Sequence, residues 1–307
     1  MSLPPSFPPN PGPGLAPGRA PGPPVTGLVD WRLPVRGEAA VDLAFQHRVE
    51  GLQFDLGGPG RGPWLDKPGT AGGAVGRLRR TAASAGVTPL GVAANVLNDI
   101  GLTAEPGTLA AARVRSVIDR LLDVAWELGV PLVFLPSFRR SAIDGEAALL
   151  RTAEVLRWAA AQAQAHGLLL ANENVLPAHQ ALRLVEEVGS PAFRLLLDSY
   201  NPVGAGIDVP DLVEATAPFL ADQIHLKDGP EAAATAPGPL LGDGDGRVDE
   251  TVDAVARHLP GVHAVVLEND HRDGDGTRLR ADLERARAFA RRLHRRRMEA
   301  AQPCPSY

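Results

Sequence analysis

Leu168-Leu169-Leu170-Ala171-Asn172-Glu173-Asn174 is an apolar run too short for a helix of its own, and it ends abruptly in a carboxylate between two amides. Three later stretches repeat that grammar: Arg194-Leu195-Leu196-Leu197-Asp198, Gln223-Ile224-His225-Leu226-Lys227-Asp228 and Val265-Val266-Leu267-Glu268-Asn269-Asp270. Continuous short apolar runs read as strands covered on both faces, the habit of parallel sheets. Each of these four delivers a side chain able to bind metal at its C-terminal end.

Working outward, short apolar segments alternate with amphipathic helical ones from Gly27 onward. Strands are expected at Gly27–Trp31, Gly51–Leu56, Pro89–Val96, Pro131–Leu135, Leu168–Asn174, Arg194–Ser199, Gln223–Lys227 and Ala264–Asn269. Helical patterns fill the gaps, with apolar residues three and four apart, as in Ile118, Leu121, Leu122 and Ala125. Gly86, Gly129, Gly167 and Gly189 follow helices as expected of C-terminal caps. Eight such units within about 270 residues predict a (β/α)8 TIM barrel. An open doubly wound sheet is the alternative, weakened because no Gly-x-Gly-x-x-Gly follows the first strand.

Composition bounds the rest. Met1 to about Pro24 is mostly proline, glycine and small residues, which cannot bury enough apolar area to offset the entropy of ordering. The expected layout is a disordered Pro/Gly-rich tail over 1–25, the barrel over 26–298 and a flexible C-terminal tail over 299–307. The formal net charge of -5 in 307 residues argues against a nucleic-acid binder. The single cysteine, Cys304, cannot form an internal disulfide. No apolar run approaches the roughly 18–20 residues needed to cross a bilayer. These features predict a soluble cytoplasmic protein with no membrane or nucleic-acid partner, and a homo-oligomer is allowed.

Side chains two apart share a strand face. Leu169, Ala171 and Glu173 therefore align, as do Leu196 with Asp198, Gln223 with His225 and Lys227, and Val266 with Glu268 and Asp270. If these faces point inward, Glu173, Asp198, His225 and Glu268 converge at the C-terminal rim, where barrels of this kind keep their chemistry. Three carboxylates and an imidazole suit a divalent ion of intermediate hardness such as Mn²⁺, Mg²⁺ or Co²⁺. Lys227 would bring three carboxylates and a divalent ion close to neutral.

Other polar groups near strand ends are candidates for a carbohydrate-like substrate. Asn95, Asn174, Asn201 and Lys227 could hydrogen-bond hydroxyls or orient the ligands, and Arg139 could clamp a carboxylate or phosphate. Gln53 and Asp55 could hydrogen-bond sugar hydroxyls or satisfy loop backbone. Trp31 and Trp64 could wall a sugar pocket or simply pack.

At its four strand ends the chain resembles the xylose isomerase-like TIM-barrel superfamily, which holds the sugar-phosphate isomerases and epimerases. The specific motifs are Glu173-Asn174, Asp198, His225-Leu226-Lys227-Asp228 and Glu268, with Pro239-Leu240-Leu241-Gly242-Asp243-Gly244 similar to the family's loop after strand seven. The resemblance implies that Glu173, Asp198, His225 and Glu268 bind one divalent metal, commonly manganese, with magnesium, cobalt or zinc as alternatives. It implies that Glu173 and Glu268 are also the catalytic acid/base pair. The reaction would be isomerisation or epimerisation of a sugar, sugar phosphate or polyol ketone through an enediolate. A lyase on the same barrel (a dehydratase of inosose or dehydroshikimate type, or a 3-keto-glycoside deglycosidase) and a non-catalytic sugar-binding barrel are the rivals. Two positions depart from the family: Asn201 stands where a histidine is frequent, and Glu231 where ketose 3-epimerases carry arginine.

Overall fold

Eight parallel strands close on themselves in chain order, each pairing with its sequence neighbours and the first with the last. The computed structural model describes residues 22–66, 73–229 and 238–300. The tail expected over 1–25 lies outside the described residues up to 21, as do residues 301–307 and Glu231. The strands are β1 (Val25–Val29), β2 (Gly51–Asp55), β3 (Thr88–Ala93), β4 (Leu132–Pro136), β5 (Leu169–Glu173), β6 (Phe193–Asp198), β7 (Leu220–Leu226) and β8 (Ala264–Leu267). The helices are α1 (Glu38–Gln46), α2 (Ala74–Ala85), α3 (Leu97–Ile100), α4 (Leu109–Leu128), α5 (Glu146–Ala165), α6 (Ala178–Val188), α7 (Asn201–Gly204), α8 (Val209–Thr216), α9 (Val248–His258) and α10 (Gly276–Ala300).

The strand alternation separates two cores. Val29, Leu90, Phe134, Ala171, Leu196 and Val266 face into the barrel, and a larger shell including Phe54, Leu121, Leu156 and Val252 packs between sheet and helices. Leu90 fills the barrel floor because Gly27 and Gly51 leave room for it. A Cβ on either would come within 2.7 and 2.6 Å of its side chain. Phe54 and Phe134 are wholly buried, and truncating either to alanine would cost roughly 3–5 kcal/mol.

Gly129 closes α4 at φ 78°, where glycine meets no Cβ penalty. Gly167 departs slightly from expectation: His166 is the cap of α5, and the glycine follows at φ 71°. The first strand begins at Val25 rather than Gly27, and Asp30–Arg32 turns into a short 3₁₀ helix. The two short helices α3 and α7 follow β3 and β6 directly. They lie on the rim and carry site residues. Among the described residues no helix is long and apolar enough to cross a membrane.

Candidate active site

Four consecutive strands each place one potential ligand at the same end of the barrel. Glu173 closes β5, Asp198 closes β6, His225 lies next to last in β7 and Glu268 follows β8. Register carries them together: Asp198 pairs with His225, and His225 with Val266, two residues before Glu268. One donor atom from each of the four lies within 4.8 Å of all the others, and all four residues are buried.

Each member has one polar atom tied and one turned to the shared centre. Asp198 Oδ1 accepts from the backbone N–H of Tyr200 at 2.9 Å and Asn201 at 2.5 Å, while Oδ2 has no hydrogen-bond partner. Glu268 Oε1 accepts from Trp31 Nε1 at 2.9 Å, while Oε2 has none. Glu173 Oε1 accepts from Asn201 Nδ2 at 2.9 Å. Its Oε2 stands 3.8 Å from His225 Nδ1. That Nδ1 comes within 3.1 Å of Glu268 Oε2, yet neither atom is hydrogen-bonded.

A buried amide chain fixes the imidazole. Gln223 Nε2 donates to the carbonyl of Leu90 at 2.8 Å, and Gln223 Oε1 accepts from Gln53 Nε2 at 3.0 Å. The carbonyl can only accept, so each amide orientation follows, and Gln53 Oε1 accepts from His225 Nε2 at 2.8 Å. With its hydrogen on Nε2, a neutral His225 presents the Nδ1 lone pair to two carboxylates. Lone pairs that converge in a buried site form a focus that a cation can occupy. The residues therefore fit a divalent metal ion, with Nδ1 and three carboxylate oxygens as donors and tied second atoms of the kind that orient metal ligands.

Burial and mutual charge shift all four groups. Burial and the charge of Glu268 push Glu173 up to about 8. Burial raises Asp198 as well. For Glu268 burial acts in that direction too, but Lys227, His225 and Arg32 outweigh it and hold the group well below the usual carboxylate range. Burial opposes a charge on His225, and the surrounding carboxylates overcome it and raise its pKa.

Above the cluster opens a cleft of about 780 Å³, lined by Glu173, Glu268, Trp31, Asn95, Asn201 and Lys227 among others. Lys227 Nζ donates to Asn201 Oδ1 at 2.9 Å, so one amide links the lysine to Glu173. Arg139 lines the cleft from the turn after β4. Asn174 is the exception among the expected substrate contacts. Its amide donates to Asn172 Oδ1 and its oxygen accepts from the Leu176 N–H, so it braces the β5 loop and is absent from the cleft lining. Asp270, expected to align with Glu268, instead binds Arg272 because β8 ends at Leu267. Gln53 serves the histidine and Asp55 binds Arg36 at 3.0 Å. Trp31 lines the cleft, whereas Trp64 packs against the core under the Arg120 guanidinium.

Sequence reading missed Arg32, Arg36, Arg61 and Asp99, all of which line the cleft. Their position in loops after β1, β2 and β3 was the available signal, because those loops build the rim of such a barrel. Nothing in local spacing marks them as convergent.

Residues 41–293 match the family model described as xylose isomerase-like TIM barrel. The chain belongs to this family. Over 264 residues it is 54% identical to a 2-epi-5-epi-valiolone 7-phosphate 2-epimerase of Actinoplanes sp., covering 86% of this chain and 94% of the relative. An L-ribulose 3-epimerase structure aligns with a TM-score of 0.69 at 18% identity, over 92% of this chain and 100% of that one. A structure of IOLI protein with a zinc atom bound aligns with a TM-score of 0.65 at 14% identity, over 91% and 100%. At such identities the two structures speak for the fold alone. The close relative makes this xylose isomerase-like barrel an enzyme of the sugar epimerase class.

Proposed function

We propose that this enzyme inverts the carbon beside the ketone of a phosphorylated polyol ketone, of the kind named for its Actinoplanes relative. The carrying observation is the focus of four buried donor atoms within 4.8 Å at the C-terminal rim. The 54% identity to a valiolone 7-phosphate 2-epimerase supplies the substrate class. Glu173, Asp198, His225 and Glu268 would hold the ion, with manganese our choice for three carboxylates and one imidazole, and magnesium, cobalt or zinc as alternatives. Once bound, a divalent ion supplies a Lewis acid that offsets negative charge developing on the carbonyl and neighbouring hydroxyl oxygens.

The chain's own groups carry the proton. Inversion needs one group to remove the proton from the hydroxyl-bearing carbon and another to return it on the other face. Glu173 and Glu268 are the pair, reaching the cleft from β5 and β8. Trp31 fixes the carboxylate of Glu268, and Asn201 fixes that of Glu173. Lys227 and Asn201 line the same cleft and bind substrate hydroxyls there. The lone cysteine, Cys304, suits the reducing cytoplasm.

The test is incubation of the manganese-loaded protein with 2-epi-5-epi-valiolone 7-phosphate in D₂O, followed by proton NMR. One deuterium should enter at the inverted carbon as the epimer forms. Loss of water from the ring, or no exchange with any divalent metal, would overturn the reading.

A further inference from the structure

The cleft holds a second charged group, carried by the segments after β2, β3 and β4. Asp99, in α3, receives Arg61 Nε on Oδ2 at 2.7 Å and Arg139 Nη2 on Oδ1 at 2.9 Å. Two guanidinium ions thus share one carboxylate, and all three side chains line the cleft. This protein has a formal charge of -5, so a cationic excess inside its cleft is not inherited from its average composition.

The other cleft cations are occupied differently. Arg36 is bound by Asp55 at 3.0 Å and Arg272 by Asp270 at 2.8 Å. Lys227 donates to Asn201, and Arg32 stands 3.6 Å from Glu268, so both serve the buried carboxylates. The excess over local carboxylates therefore falls on Arg61 and Arg139. Each spends one N–H on Asp99 and keeps further donors of its planar fork.

The turns that carry the group are pinned. Arg139 has φ 53°, a left-handed conformation that a long side chain rarely adopts and that persists only when its surroundings impose it. Ser141 imposes it by donating to the Leu97 carbonyl and accepting from the Leu102 N–H, and Asn98 accepts from the Phe138 N–H. Gly101 packs so near the Arg140 carbonyl that a Cβ would lie 3.0 Å from it. Arg61 is anchored in turn, since Arg36 donates to its carbonyl at 3.0 Å. Loops after β2, β3 and β4 are thereby pinned around one pair of forks.

We infer that Arg61 and Arg139, pre-set by Asp99, form the seat for the phosphate monoester of the substrate. The inference rests on the reading of this enzyme as an epimerase of a phosphorylated ketone. A phosphate monoester presents three oxygens to two planar forks, the pairing in which arginine outperforms lysine. It also explains the strained turn at Arg139, which the metal cluster does not need.

The test compares 2-epi-5-epi-valiolone 7-phosphate with its unphosphorylated counterpart in wild type, Arg139→Gln and the Arg61→Gln/Arg139→Gln double variant. The readout is the ratio of kcat/KM for the two ketones, so a general loss of activity cancels. Wild type should favour the phosphorylated ketone, and the double variant should lose at least ~30-fold of that ratio, from two charge-assisted contacts. Arg139→Gln alone, at an exposed position that leaves the Arg61 pair intact, should lose roughly a third to a half of the effect on a logarithmic scale. An unchanged ratio, or a wild type indifferent to the phosphate, overturns the inference. If wild type turns over neither ketone, the epimerase reading fails, and calorimetry with inorganic phosphate judges the seat separately. Binding weakened at least ~10-fold in the double variant sustains it, and equal binding overturns it.

Discussion

Gln53 Oε1 lies 2.8 Å from Nε2 of His225, and this contact turns the other imidazole nitrogen toward the carboxylates. The orientation runs back through Gln223 to the carbonyl of Leu90, which cannot donate. Replacing Gln53 with leucine should weaken manganese binding roughly 10–100-fold, the usual cost of losing a partner behind a metal ligand. Calorimetry on the metal-stripped protein measures it, with circular dichroism confirming the fold. Affinity equal to wild type would mean that the amide chain does not set the tautomer.

Glu268 should be indispensable to turnover. Glu268→Gln keeps the shape and retains an oxygen for Trp31, but it removes both a charge and a proton acceptor. Turnover should fall by about 10²–10⁴-fold, the range supplied by a positioned acid or base. The solvent-exchange NMR assay reads this directly. Retention of more than about a tenth of wild-type turnover would remove Glu268 from the proton-transfer pair.

Asp228 should govern the loop after β7. Its carboxylate accepts from the N–H groups of Gly229 at 2.9 Å, Gly242 at 2.7 Å, Gly244 at 3.0 Å and Gly246 at 2.9 Å. Asp228→Ala strands four donors and should destabilise the protein by roughly 2–4 kcal/mol, seen as a lower denaturation midpoint. Gly246→Ala should act in the same direction, because its Cβ would fall 2.6 Å from Asp228 Oδ1. A midpoint unchanged in both variants would show that the loop holds without this carboxylate.

Asp30 predicts a pH dependence of stability. Burial first, and the charge of Asp55 second, raise its pKa from 3.8 to about 7, even though it accepts from the Asp55 and Gly37 N–H groups. Between those values the folded state holds a proton that the unfolded state has released. This contribution to stability is therefore complete below about pH 4 and is lost as pH rises toward 7. Its slope should approach 1.4 kcal/mol per pH unit, about the value of one proton. In Asp30→Asn that component should vanish from denaturation curves taken between pH 4 and 8, whatever the absolute stability. A slope identical to wild type would sink the assignment.

The barrel was legible because its evidence is local and repeated. Each apolar run around Leu170, Leu196, Ile224 and Val266 is a strand, and the two-residue alternation that aligned Ala171 with Glu173 and Leu196 with Asp198 is the inward face. Strand ends were less readable. Polar Asp30 extends the first apolar run past β1, and Asn269 the last past β8, because a strand and the turn that leaves it can share one run. The partners that orient the cluster were hidden for another reason. Trp31 and Glu268 are 237 residues apart, and Gln53 and His225 are 172 apart. No spacing rule reaches across a closed sheet, so these pairings appear only once the barrel closes. Asn174 shows the converse: adjacency to Glu173 suggested a shared role, yet consecutive side chains leave a strand in opposite directions.

The ring divides its labour by semicircle. The donors that focus on one point come from β5 to β8, while Arg61, Asp99 and Arg139 follow β2, β3 and β4. The ligand donors and the inferred phosphate seat thus lie in separate halves of the chain, with Trp31 and Gln53 reaching across from the first half to brace Glu268 and His225. A lineage could exchange one charged tail for another by editing the turns that carry Arg61, Asp99 and Arg139, while Trp31 and Gln53 go on bracing the four-residue cluster.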